Sequence, residues 1–171
     1  MATKSIDFSR LTLKDALDLA ILIEDEAAER YAELAQQLET HHNADVAGFF
    51  RFMLKAEGEH AHRLSERRRS RFGDAESTVT RAMIFDVEAP EYDEVRATMR
   101  LRRALEVALA AEEKAYAFFE NALESVTDPD VRALFESLSM EEAEHQAFVK
   151  REIAKLPAAT AETDDEETVA N

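Results

Sequence analysis

The sequence predicts an all-α fold: a four-helix bundle made of two helical hairpins joined by a long crossover. Three observations predict it. Gly and Pro number only 3 each among 171 residues, while Ala, Leu, Glu and Arg are abundant, a composition that favours helix. Apolar residues recur at steps of four and three in four separate segments, the spacing of one helix face. The first and second halves of the chain also resemble each other in the order of their acidic, aromatic and histidine residues, the mark of an internal repeat.

The first helix is expected from Leu13 to Thr40, with Thr12 and Asp15 forming a capping box. Its stripe is Leu17, Ile21, Glu24, Ala28, Tyr31, Ala35 and Leu38, a heptad seam interrupted by Glu24. After a turn at His41-His42-Asn43, the second helix is expected from Ala44 to Phe72, with Asn43 as N-cap and Gly73-Asp74 as the stop. Its stripe is Val46, Phe50, Met53, Glu57, His60 and Leu64, and its last turns are rich in arginine (Arg63, Arg67, Arg68, Arg69, Arg71). Such cations complement the helix dipole. Residues 73–92 form the crossover, whose apolar patch of Val79, Met83, Ile84, Phe85 and Val87 is expected to pack on the bundle or on a second subunit. The third helix is expected from Asp93 to Ser125, with Leu101, Leu105, Ala108, Glu112, Ala115, Phe119 and Ala122 on its stripe. Asp128-Pro129 opens the fourth, which carries Val131, Phe135, Leu138, Glu142, His145 and Val149 to about Leu156, where Pro157 ends it.

The chemistry lies in what interrupts these stripes. Glu57-Gly-Glu-His60 and Glu142-Ala-Glu-His145 are two Glu-x-x-His steps. Residues i and i+3 share a helix face, so each step aims a carboxylate and an imidazole at one point. Glu24 is followed seven residues later by Tyr31, and Glu112 seven residues later by Phe119. The turns centre near residues 42 and 127, and the six polar residues lie 15 to 18 positions from one or the other. At a rise of about 1.5 Å per residue they fall within one to two helical turns of a common level. Four carboxylates on core stripes are costly unless they meet cations. Two divalent metals would balance Glu24, Glu57, Glu112 and Glu142, with His60 and His145 as neutral ligands. Oxygen-rich ligation with one imidazole per metal suits iron or manganese.

Over roughly residues 12–156 the chain resembles the ferritin-like superfamily, and within it the rubrerythrin or erythrin branch. Glu24 with Tyr31, Glu57-x-x-His60, Glu112 with Phe119, and Glu142-x-x-His145 carry that resemblance. It implies that Glu57 and Glu142 bridge two iron ions, that Glu24 and Glu112 bind one each terminally, and that His60 and His145 bind one each. Two features depart from the family. The chain has no cysteine for a rubredoxin-type iron site, and Ala115 stands where rubrerythrins tend to carry a further glutamate.

Composition narrows the function classes. The absence of Cys excludes disulfides, thiolate nucleophiles and Cys-zinc sites from this chain. A net charge of −16 argues against nucleic acid as partner. Neither a signal-peptide core nor an apolar run of membrane-spanning length is present, so a cytoplasmic protein is expected. One domain spans residues 1–156, and the acidic segment 157–171 reads as a solvated, disordered tail. Glu26, Glu29, Glu33, His41, His42 and His62 read as surface residues. Tyr31 reads as a core aromatic or a hydrogen-bond partner of the site. The function expected is Fe(II) oxidation or peroxide reduction at a dinuclear centre, in a homodimer served by an external electron donor. Iron storage or sensing, or a helical module with a structural metal, are the alternatives.

Overall fold

The computed structural model describes residues 6–84, 87–88, 90 and 98–157. Four long helices account for most of them: α1 (Leu13–Thr40), α2 (Ala44–Phe72), α3 (Leu101–Leu123) and α4 (Pro129–Lys155). Helices α1, α2 and α4 begin and end where the sequence expects. Helix α3 does not. It begins at Leu101, and residues 98–100 before it are non-helical; the expected stretch from Asp93 to residue 97 lies outside the described residues. The tail 158–171 also lies outside them.

The caps show why the boundaries fall there. The Thr12 hydroxyl accepts from the backbone N–H of Asp15 at 3.2 Å and donates to its carboxylate at 2.7 Å, satisfying an orphan donor of the first turn. Asp128 accepts from the N–H groups of Asp130 and Val131 at the start of α4. Asn43 stands at the N-cap of α2 but makes no side-chain cap bond. Its amide donates instead to the Met99 carbonyl at 3.0 Å, tying the first turn to the approach into α3. His42 supplies the sharp turn at φ 60, and Gly73 stops α2 at φ 56, where the absence of a Cβ relieves strain.

The crossover packs on the bundle along α1. Lys14 Nζ donates to the Glu76 carbonyl at 2.8 Å, and Thr78 Oγ1 to Asp15 at 2.7 Å. A short 3-10 turn at Arg81–Met83 follows, with Arg81 forked on Glu29 at 2.5 Å for each contact. Ile84 is fully buried, and Val79 and Val87 pack beside it; Phe85 lies outside the described residues. The crossover therefore starts at the α2 C-terminus and returns to the α1–α2 turn, which lets α3 run antiparallel to α1. The arginines closing α2 do more than complement a dipole. Arg68 binds Asp18 at 2.7 Å and the carbonyls of Gly73 and Ala75, pinning the exit into the crossover.

The core divides into two apolar clusters. The lower one gathers Leu13 to Ile23 of α1, Leu64, Ile84, Phe119, Val131, Phe135 and Leu138. The upper one gathers Ala27 to Leu38, Val46 to Met53, Met99, and Ala104 to Ala108. The stripes of α2, α3 and α4 are buried nearly as their spacing predicts. On α1 the buried face is wider: Ala20, Ala27 and Leu34 are buried, whereas Ile21 and Ala28 are only half-buried. The cause is that α1 is covered on two sides, by the helices and by the crossover.

Candidate metal centre

Between the two apolar clusters lies a polar layer. Glu24 follows the last lower-cluster residue of α1 and precedes the first upper-cluster one. Glu57 stands between Met53 above and Leu64 below, and Glu112 between Ala108 above and Phe119 below. Glu142 follows Leu138 of the lower cluster. All four glutamates are 0 % exposed. The structure thus brings the four predicted carboxylates to one level in the bundle's interior.

His60 and His145 face each other at the edge of that layer, their rings stacked at 4.8 Å and 15°. His145 Nδ1 lies 3.0 Å from Glu112 and 3.6 Å from Glu57. His60 Nδ1 lies 3.7 Å from Glu24, 3.8 Å from Glu57 and 3.6 Å from Glu141. Both rings are half-buried. A cleft of about 170 Å³ between α2 and α4, lined by His60, Arg63, Arg67, Leu134, Ser137 and Glu141 among others, reaches the layer at His60. Arg63 holds Glu141 at its mouth at 3.0 Å. The residues read from sequence as surface groups stay outside the layer: Glu29, Glu33, His41, His42 and His62 are exposed, and Glu26 is half-buried.

A fifth carboxylate joins the four. Glu88, in the crossover, is 1 % exposed and was not foreseen. One ligand oxygen from each of Glu24, Glu57 and Glu88 lies within 4.8 Å of the others, and the same holds for the sets Glu57, His60, His145 and Glu112, Glu142, His145. Glu88 has no Glu-x-x-His partner and sits on no helical stripe, so periodicity could not find it. The available signal was the apolar run ending at Val87, which placed the crossover on the core and so implied burial for its neighbour.

The electrostatics match the crowding. Both oxygens of Glu24, Glu57, Glu88 and Glu142, and Nδ1 of His60, lack a hydrogen-bond partner, a costly state for buried charge. Burial pushes the Glu57 carboxyl well above the usual carboxylate range, and the charges of Glu112, Glu24 and Glu142 push it further. Burial likewise raises Glu88, with Glu24, Glu57 and Glu112 adding repulsion. Glu142 is raised by burial and then by Glu88, Glu112 and Glu24. For His145 burial works against the charged ring, but the hydrogen bond to Glu112 and the surrounding carboxylates outweigh it and raise its pKa. Tyr31 is fully buried and donates its hydroxyl to Glu112 at 3.3 Å, so it fills both roles read from the sequence. Burial and the charges of Glu112, Glu57 and Glu88 hold its proton on. A set of five carboxylates, four of them without a hydrogen-bond partner, with two imidazoles at its edge fits divalent cations, whose charge would offset the repulsion.

A crystal structure of an uncharacterized conserved protein from Magnetospirillum magnetotacticum MS-1 is similar to this chain, with 30% identity, a TM-score of 0.69, and coverage of 88% of this chain and 99% of that one. No functionally curated protein matches. Residues 15–153, a span holding every residue of the polar layer, match the sequence model of the Rubrerythrin family, and the chain belongs to that family.

Proposed function

We propose that the protein is a di-iron carboxylate oxidoreductase that oxidises Fe(II) with oxygen or peroxide. The observation that carries this reading is the buried layer of five carboxylates, four of them with no hydrogen-bond partner, adjoined by two histidines on the side where the cleft opens. Glu24, Glu57, His60, Glu112, Glu142 and His145 would hold two iron ions, with manganese as the other candidate. Iron held there would supply electrons to the oxidant as Fe(II) becomes Fe(III), and an external donor would return it to Fe(II).

The chain's own residues would shape that chemistry. The carboxylate-rich shell favours the more highly charged oxidised state, because greater positive charge is better compensated. Tyr31 orients Glu112 through its hydroxyl, and His145 approaches the same carboxylate from α4. The apolar clusters above and below exclude water from both ends of the layer. Small oxidants would reach it through the cleft at His60, where Glu141 lies 3.6 Å from the ring and can exchange protons with solvent.

A homodimer is part of the same proposal, supported by exposed Phe52, packed on Phe148 at 4.9 Å, and exposed Met140. Light scattering that returned only the monomer mass would remove that element. No helix among the described residues is long and apolar enough to cross a membrane. A cytoplasmic site of action and an external electron donor belong to the same proposal.

The experiment is anaerobic Fe(II) loading followed by stopped-flow mixing with peroxide. Loading should reach about two ions per chain, by the ligand count of such bundles, and Fe(III) should form faster than in buffer with the same free iron. Loading without acceleration would turn the reading to storage, sensing or a structural metal.

A further inference from the structure

Among the described residues, Glu88 is the one buried charged side chain that does not come from a helix. Its position is fixed from both sides. Ile84, four residues earlier, is fully buried in the lower cluster, and Val87 packs against the same cluster. Two residues later, the Pro90 carbonyl accepts from Arg30 Nη1 at 2.6 Å. Between these anchors the crossover delivers a carboxylate into the polar layer.

That placement gains nothing as packing, since an apolar side chain of similar volume would fill the space without a charge. Glu88 brings both oxygens into the interior with no donor to receive them. It also brings a third carboxylate oxygen within 4.8 Å of those of Glu24 and Glu57. Glu112 and Glu142 form a set with the His145 imidazole, whereas Glu24 and Glu57 have His60 at 3.7 and 3.8 Å and Glu88 besides. The two ends of the layer therefore differ in kind.

We propose that Glu88 is a metal ligand, adding a third carboxylate to the position formed by Glu24, Glu57 and His60 and making the two metal positions unequal. The inference rests on the metal-centre reading above. The Glu24 position becomes the harder, more anionic one, suited to the ion that most prefers oxygen ligands. The Glu112 position keeps two carboxylates and one imidazole. A pair of divalent ions then carries +4 against −5 from the five glutamates, so the centre favours an ion pair of higher total charge.

Anaerobic titration of the full chain with Co(II) tests this, read by calorimetry and by the visible d–d bands. Wild type should bind two ions in distinguishable steps. Glu88→Gln keeps the shape and removes the charge. It should weaken one step at least about tenfold, because loss of even an outer-shell partner costs about 10–100-fold, and leave the other step nearly unchanged. In chelator, the same variant should melt no lower than wild type, because Glu88 has no hydrogen bond there to lose. Unchanged affinity at both steps would overturn the proposal. Equal weakening of both steps with a lower metal-free melting point would also overturn it and make Glu88 a strut of the crossover. Failure of the wild type to bind two ions would instead count against the metal-centre reading itself. If the Gln variant does not fold, Glu88→Asp keeps the charge at shorter reach. Weakening confined to one step supports the ligand role, and two unchanged steps refute it.

Discussion

The α1–α2 and α3–α4 hairpins carry the same polar set in the same order, yet the surroundings of that set differ. In the second hairpin Glu112 receives the Tyr31 hydroxyl at 3.3 Å and faces His145 at 3.0 Å. In the first hairpin Glu24 receives no hydrogen bond, and its imidazole neighbour, His60, lies farther off at 3.7 Å. Phe119, at the place matching Tyr31, has no hydroxyl to offer and packs instead on Phe135 at 5.4 Å. Glu24 lies beside Glu88, and among the described residues the crossover bonds to α1 through Lys14, Asp15, Glu29 and Arg30. A duplicated motif thus supplies equal ligands, while single unduplicated residues make their environments unequal.

The largest effects should come from the aromatic anchors of each half. Phe135 belongs to the lower cluster, which joins all four helices and the crossover, whereas the upper cluster of Phe50 contains no α4 residue. Phe50→Ala and Phe135→Ala should each cost about 3–5 kcal/mol in urea unfolding, with Phe135→Ala the larger. A larger loss at Phe50 would reverse this ranking of the halves.

Titration tests whether the layer behaves as one unit. Glu57, Glu88 and Glu142 have folded-state pKa values raised by burial and mutual repulsion. Over the interval above the ordinary glutamate range the folded protein then holds more protons than the unfolded chain. Metal-free stability should be fully present below that range and fall as pH rises through the raised values. His145, also raised, adds stability that is lost as pH rises through its folded value. Asp15 and Asp18 have lowered values, held by Thr78 and Arg68 respectively against burial, so their contribution is lost only as pH falls through them. Melting followed by circular dichroism in chelator should therefore peak at mildly acidic pH. Saturating metal should raise stability most at the neutral end, and a flat metal-free profile would contradict the shared charge of the layer.

Tyr31→Phe makes the first hairpin match the second. It removes one of the two contacts on the Glu112 carboxylate, leaving His145 at 3.0 Å, and should cost about 1 kcal/mol. The reciprocal Phe119→Tyr should not recover that loss, because its hydroxyl would start from the other hairpin. Recovery in the double variant would show that the two places are interchangeable.

The smallest effect should be Glu29→Gln. It breaks the exposed fork to Arg81 on the crossover, and solvent screening should hold the loss below about 1 kcal/mol. A larger loss would mean that this pair governs how the crossover seats against α1.

Periodicity and capping chemistry are local properties, so three helices could be placed from the sequence to within about a residue. The seam glutamates Glu24 and Glu112 were legible because a charge on an apolar stripe is conspicuous, and the histidines because they follow a glutamate by three. The start of α3 was not legible. The run of residues ahead of Leu101 has the composition of a helix, but the Met99 carbonyl is engaged by Asn43, a contact from 56 positions away that no window reveals. Glu88 escaped for a related reason. Its burial depends on where Ile84 and Arg30 seat the crossover, and its chemistry depends on Glu24 and Glu57 from two other segments. By itself the sequence determined an all-α bundle of two hairpins and the residues that share one level, because helical geometry converts spacing directly into direction. Only the tertiary structure decided that a fifth carboxylate enters that level and that Tyr31 serves the opposite hairpin, because both follow from packing between segments distant in the chain.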